Sequence, residues 1–564
     1  MRKLLFFLFL LIPSLVWGQK STLSGYVKDA TSGEGLIGAS VYVKELKTGN
    51  VTNTYGFYSL TLPLGQYTLV FSSSGFTKQE RVIQIQAQAQ PYSIELVPAS
   101  QELAEVIVKA RSNDENVRGI EMSVNKVDIK TIRKIPALLG EVDLVRAIQL
   151  LPGVSTVGEG ASGFNVRGGG VDQNLVLLDD APVYNSSHLF GFFSVFNPDA
   201  VKDVKLFKGG IPSMYGGRAS SILDVKMKEG NSKKLEVNGG IGVIFSRLSI
   251  EAPIVKDKAS FIVAARRSYI DILAKPFLTG NNANAAFNFY DLTAKVNYTI
   301  NTKNTVFMSG YFGRDVFGTG FGFDWGNTTL STRWNHVFSN KLFMNATAFY
   351  SNYDYMLDSD IENKRPNDAF KWTSNIENLS IKPDFTYYIR PDNTISFGGQ
   401  LLSYDFTPGK ANATSNGEKR EFGQANKQGV EASAYIGHDW KLNSRLTIQY
   451  GVRYSHYDYK SVNGEYYDRI PVAVSTENPS GYVLKINQTD PDAVVAAYGN
   501  WEPRFALNLK GNESTSFKLS YNRLAQYIHL MSNTAASTPL DVWTSSTNNI
   551  KPQIVDQVAF GVFK

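Results

Sequence analysis

At 564 residues the chain is too long for one ordinary domain, and 43% hydrophobic with 19% charged residues excludes both a disordered polymer and a helical membrane protein. A net charge of +6, spread without a basic tract, gives no case for nucleic acid. The lack of cysteine excludes disulfides, thiolate metal sites, a cysteine nucleophile and a lipid-anchored cysteine N-terminus. What remains is a Tyr-, Phe- and Gly-rich chain, with 29, 34 and 47 of these residues, a balance that suits large antiparallel β proteins.

Residues 1–18 read as a secretory signal: Arg2 and Lys3 are followed by the apolar run from Leu4, and Val16-Trp17-Gly18 offers a cleavage site. From Ser21 to Pro98 short strands recur with Gly punctuation, among them Ala39-Ser40-Val41-Tyr42-Val43 and Tyr67-Thr68-Leu69-Val70-Phe71, and predict a small sandwich over 19–98. The stretch Thr52-Asn53-Thr54-Tyr55-Gly56-Phe57-Tyr58, with Gly65-Gln66-Tyr67 and Ser74-Gly75-Phe76, resembles the carboxypeptidase-regulatory-like domain, a transthyretin-like sandwich. That resemblance implies an accessory module without peptidase activity.

A connector over 99–112 carries Glu105-Val106-Ile107-Val108-Lys109. Its β-branched residues favour an extended chain, which can add to the sheet edge of a partner. In position and sequence the segment resembles a TonB box. A terminal strand of the sandwich and a first strand of the next domain are the alternatives.

Over 113–230 the texture turns α/β. Val142 to Leu151 reads as a helix stopped by Pro152-Gly153. Then come Val166-Arg167-Gly168, a strand ending at Leu178-Asp179-Asp180, Lys208-Gly209-Gly210, Tyr215-Gly216-Gly217 and the strand from Ser221. This ordered series resembles the plug domain of TonB-dependent receptors, and assigns Arg167, Gly168, Asp179, Asp180, Gly209, Gly210, Gly216 and Gly217 to the plug motif. Read as chemistry, Asp179 and Asp180 suit an acid/base or Ca²⁺ pair less well than a turn whose carboxylates bind backbone amides. Arg167 is a ligand contact or, better, a buried Arg tied to a carboxylate. His188 is expected on an exposed loop.

From 231 to 564 strands alternate with period two, as in Leu292 to Ile300 and Arg445 to Tyr454, which suits tilted membrane-crossing strands. Soluble sandwiches alternate too, but here short connections (Asn301-Thr302-Lys303, Ser339-Asn340, Arg390-Pro391-Asp392) take turns with long ones (near 315–327, 358–371 and 407–428), as in outer-membrane barrels. The short connection near Phe245-Ser246 departs from the rule. The ten-residue template gives roughly 14 strands. A lumen that holds a plug is found near about 22 strands, so the antiparallel barrel is expected to be C-terminally incomplete at Lys564.

The fold class is therefore mainly β: sandwich, α/β plug and transmembrane barrel. No catalytic residue, metal site or cofactor is expected, since the five histidines form no His-Glu-x-x-His and Gly409-Lys410 lacks the rest of a phosphate loop. The resemblance implies an outer-membrane receptor with its N-terminal domain in the periplasm. Its partners would be outer-membrane lipid, TonB with its inner-membrane motor, and a bulky scarce solute: a ferric chelate, glycan, peptide or cobalamin. A SusC-like branch with a surface lipoprotein lid is compatible with the sandwich. The alternative is a barrel that transports nothing and serves as signal transducer or assembly component.

Overall fold

The computed structural model describes residues 19–99, 117, 119–120, 122–127, 129–132, 142–156, 163–279, 285–318, 321–359, 368–476, 478–531 and 542–564. The expected signal segment and Glu105 to Lys109 lie outside the described residues.

The N-terminal unit is a sandwich. One sheet pairs Lys20–Asp29 with Phe57–Pro63 on one side and with Gln90–Pro91 and Ile94–Leu96 on the other. The second runs Thr48–Val51, Ser40–Val43, Gly65–Ser72, Gln79–Ile85. Alternate side chains of both sheets (Leu23, Val41, Val43, Leu60, Leu69, Phe71) close the core between them. The turn before Phe57 is built locally: the Asn53 side-chain oxygen accepts from the Tyr55 and Phe57 amides at 2.9 and 3.0 Å, and Gly56 takes the left-handed conformation with φ 79°.

The plug is a five-stranded sheet in the order Ala181–Pro182, Asn174–Leu178, Ser221–Met227, Val201–Phe207, Val124–Lys126, with the Asn174–Leu178 and Ser221–Met227 pair parallel. Ser221–Met227 is buried at every position, as a strand covered on both faces must be. The predicted helix is present but shorter, Leu144–Gln149; Asp143 sets its start by accepting from the Arg146 amide at 2.8 Å.

Around the plug runs a 15-stranded antiparallel sheet. Its path starts at Glu236–Ile241 and ends at Gln553–Phe563, passing through 14 strands, while Glu418–Gly423 pairs off the path with Asn393–Ser415. Side chains alternate as the periodicity predicts. Leu292 and Val296 are 45% and 42% exposed, whereas Thr293, Lys295 and Asn297 are buried against the plug side.

The outer connections differ from expectation. The stretches near 315–327 and 407–428 are largely strand: Asn304–Gly318 pairs with Gly322–Ser339 up to Gly318↔Gly322, and Asn393–Ser415 continues far past the membrane-crossing length. Cross-strand aromatic pairs such as Phe317↔Phe323 keep these hairpins paired where a loop would leave backbone groups to water.

Candidate functional site: where the plug meets the wall

Strand Asn174–Leu178 turns back into Ala181–Pro182 through Asp179 and Asp180, both left-handed with φ 47° and 75°. A two-residue hairpin requires that conformation, and Asp tolerates it better than most residues. The turn throws both carboxylates outwards. Asp179 accepts from the Met227 amide at 3.0 Å and lies 2.9 Å from Lys295 Nζ of the barrel. Asp180 lies 2.6 Å from Lys226 Nζ of the plug and bonds Arg333 of the barrel.

Burial works against charge on Asp179, yet Lys295, Arg333 and Lys226 hold its carboxyl down to about 2. Asp180 is likewise held well below the usual carboxylate range by Lys226 and Arg333 against the same desolvation. The amide-binding expectation is therefore corrected: only one oxygen of Asp179 does that, and the other three oxygens of the pair bind cations. Two of those cations belong to the wall, so the turn is a buried plug–barrel lock.

A second lock centres on His188. The expected exposed histidine is 2% exposed. Its Nδ1 sits 2.6 Å from Asp315 and its Nε2 3.2 Å from Asp291, with the Tyr311 hydroxyl 3.1 Å away and the Phe289 ring stacked at 4.5 Å. Burial disfavours the imidazolium, but Asp315 and Asp291 outweigh it and raise the group to about 9. Arg266 pairs with Asp291 in turn, its Nε at 2.9 Å. The next two residues, Leu189 and Phe190, are also left-handed (φ 48° and 56°), a strained arrangement for bulky side chains. It is held by the Leu189 amide donating to Asp315 at 2.7 Å and by the Phe190 ring packing on Trp325 at 4.9 Å.

The third contact involves the Lys-Gly-Gly to Tyr-Gly-Gly loop. Arg504 donates to the Ile211 and Pro212 carbonyls and Arg453 to the Met214 carbonyl at 3.4 Å, each arginine being almost fully buried. A Cβ on Gly216 would stand 2.4 Å from Arg453 Nε, so the bare backbone there is what lets the wall arginine approach. Glu502 and Glu431 balance the cations, Arg504 to Glu502 at 3.0 Å and Arg453 to Glu431 at 3.7 Å. Of the other motif glycines, Gly168, Gly210 and Gly217 have left-handed φ, and Gly209 faces Arg167.

Arg167 itself overturns its expectation. It is exposed and donates to the Ser123 hydroxyl; it is not a buried partner of a carboxylate. Sequence reading missed Arg333, Arg504, Asp291 and Asp315 as functional residues. Their one signal is a charged residue at an inward position of an alternating strand.

Two cavities flank the lock. One, of about 30 Å³, is lined by Phe164, Tyr184, Arg218 and Trp543; the other, of about 50 Å³, by Asp180, Tyr215, Lys382, Tyr404 and Glu431. Arg218 stacks on Tyr184 and Trp543 at 5.9 and 5.8 Å. A wider cleft of about 400 Å³ opens between outer hairpins, lined by Phe422, Asn426, Tyr459 and Tyr467. Among the described residues no group of three or more His, Asp or Glu has metal-holding geometry.

Residues 23–108 match the carboxypeptidase-regulatory-like domain family, 116–221 the TonB-dependent receptor plug domain and 390–561 an outer membrane β-barrel domain. The TonB-dependent receptor SusC of Bacteroides thetaiotaomicron is 26% identical over 243 residues, 40% of this chain and 23% of that protein. A TonB-dependent receptor of Formosa agariphila is 25% identical over 281 residues, 48% of this chain and 27% of that one. The chain thus spans about a quarter of the length of the curated relatives it matches.

Among solved structures, the copper transporter OprC superposes with TM-score 0.55 at 12% identity, covering 79% of this chain and 70% of that one. The ferric yersiniabactin uptake receptor FyuA of Yersinia pestis does so with TM-score 0.54 at 10% identity, covering 78% and 69%. Both show a shared fold. The matched domains are those of receptors and not of enzymes. The chain thus carries the plug domain of TonB-dependent receptors within an outer-membrane β-barrel, with its N-terminal domain on the periplasmic side.

Proposed function

We propose that the protein imports a bulky, scarce solute across the outer membrane with work transmitted by TonB. The observation that carries this reading is the plug bolted into the lumen by buried ion pairs: Asp179 to Lys295, Asp180 to Arg333, and His188 to Asp291 and Asp315. Separating one partner of such a pair leaves an uncompensated buried charge, at a cost of about 3–5 kcal/mol. Ligand contact at the outer hairpins does not supply several such steps at once, and the outer membrane holds no ATP. A mechanical pull on the chain before the plug does supply them.

Glu105, Val106, Ile107, Val108 and Lys109 are the segment we assign to TonB, through strand addition to its sheet edge. The aromatic and amide lining of the outer cleft suits a solute of the ferric chelate, cobalamin, glycan or peptide class. Ile107→Pro removes a main-chain donor from a pairing strand and leaves the outer hairpins untouched. Uptake should be abolished, ligand binding retained, and co-purification with a periplasmic TonB fragment lost. Uptake that survives the substitution places the box elsewhere.

A further inference from the structure

We infer that the N-terminal sandwich is a stopper seated in the periplasmic mouth of the barrel, a second closure that leaves before the plug moves. Phe57 carries the observation. Its strand neighbours Tyr58 and Leu60 belong to the sandwich core, but Phe57 does not. It is 1% exposed because it packs with Val337, Phe343 and Tyr388 of the barrel. Phe57 stacks on Phe343 at 5.2 Å and reaches Tyr388 at 6.0 Å, while Tyr55 stacks on Phe343 at 5.8 Å. Val337, Phe343 and Tyr388 adjoin the short turns after Ser339 and Arg390, so this mouth is the periplasmic one.

Polar contacts fix the seat on both sides. The Ser59 hydroxyl donates to the Asn340 carbonyl at 2.5 Å, and the Asn340 side chain donates to the Thr22 carbonyl at 3.2 Å. Across the mouth, the Ser232 amide donates to the Ser32 carbonyl at 2.8 Å, Lys233 pairs with Glu95 at 2.8 Å, and Glu34 accepts from the Glu229 amide. At the tip, the Tyr55 ring lies 5.5 Å from the guanidinium of Arg333, the same arginine that holds Asp180. The stopper thus rests on the plug's own lock.

Its chain position sets the order of release. The sandwich ends near Ala99 and the plug begins near Val117, so tension on the connecting residues acts on both. The sandwich is held by ring packing, neutral hydrogen bonds, the part-exposed Lys233–Glu95 pair and the Glu34 carboxylate on a backbone amide, the plug by several buried ion pairs, and the weaker seat yields first. The role as a closure rests on the uptake reading; the seating does not.

The test uses the full chain, which has no cysteine of its own. Ser59→Cys with Asn340→Cys should cross-link in folded barrels without reductant. Phe57→Asp, which spares the sandwich core, should lower the cross-linked fraction at least about tenfold, the effect expected of an interface anchor. Drawing single barrels out by a handle within residues 101–112 should show a detachment event before any plug extension. The oxidised pair should abolish that first event and dithiothreitol restore it. Failure of the pair to form in folded barrels, or a first event indifferent to the cross-link, overturns the stopper. A receptor that takes up no solute in any strain while still showing these events would overturn the uptake reading and leave the seating intact.

Discussion

The two junctions inside this barrel are built from different chemistry. The plug meets the wall through buried charges, with Asp179, Asp180 and His188 each facing ions of opposite sign, whereas the sandwich meets it mainly through rings, with Tyr55 and Phe57 against Phe343 and Tyr388, and a rim of hydrogen bonds. A buried ion pair is stable only while both partners stay, because each alone would be stranded away from water. A ring interface loosens by degrees and re-forms without such a penalty. An apolar seat can therefore open repeatedly at low force, and a charged one holds until it is pulled.

Removing Arg333 should separate the two most sharply. Arg333→Ala removes the wall's ion-pair partner of buried Asp180, and is expected to cost the plug about 3–5 kcal/mol of stability. The readout is the urea midpoint at which the plug becomes susceptible to protease. Replacing Asp180 and Arg333 together by leucine should cost much less than Arg333→Ala alone. Equal losses would mean that the pair is not what bolts the plug.

A smaller effect should appear in pH dependence. His188, raised to about 9 in the folded protein from about 6.5 when free, contributes stability that is complete below about 6.5 and lost as pH rises through 9. Asp179, depressed to about 2, contributes stability present above about 4 and lost as pH falls towards 2. The plug should therefore resist urea best between these windows, and His188→Gln should flatten the alkaline limb alone. The sandwich seat, with Phe57 and Phe343 at its centre, should lack the alkaline limb. A seat that loosens in step with the plug above pH 7 would collapse the distinction.

The strands of the wall were legible because membrane and lumen impose period two on residues such as Leu292 to Ile300, a local signal. The plug was legible as an ordered series of short motifs, the Asp179-Asp180 turn and Tyr215-Gly216-Gly217 among them. What those residues do was not, because their partners are remote. Asp180 finds Arg333, and His188 finds Asp315, only after the barrel closes around the plug, and no local pattern encodes such pairing. Judged locally, His188 between Ser187 and Leu189 looks like a loop residue, and Arg167 looks like one that needs a carboxylate. The outer segments read as loops because long connections alternate with short ones, yet aromatics there, such as Phe317 and Phe323, pair across the hairpins. Tyr55 and Phe57 carried a usable sign: two aromatics flanking a turn glycine are too apolar to be left in water.

The claim that most needs testing is that this plug moves only when pulled. The most direct measurement is accumulation of a panel of solutes (ferric chelates, cobalamin, glycans and peptides) in cells that express the full receptor, with the TonB motor intact or removed. At least one solute should accumulate only when the motor is present, with binding at the cell surface unchanged by its removal. Accumulation that proceeds equally without the motor, or surface binding with no accumulation of any solute in energised cells, would contradict it.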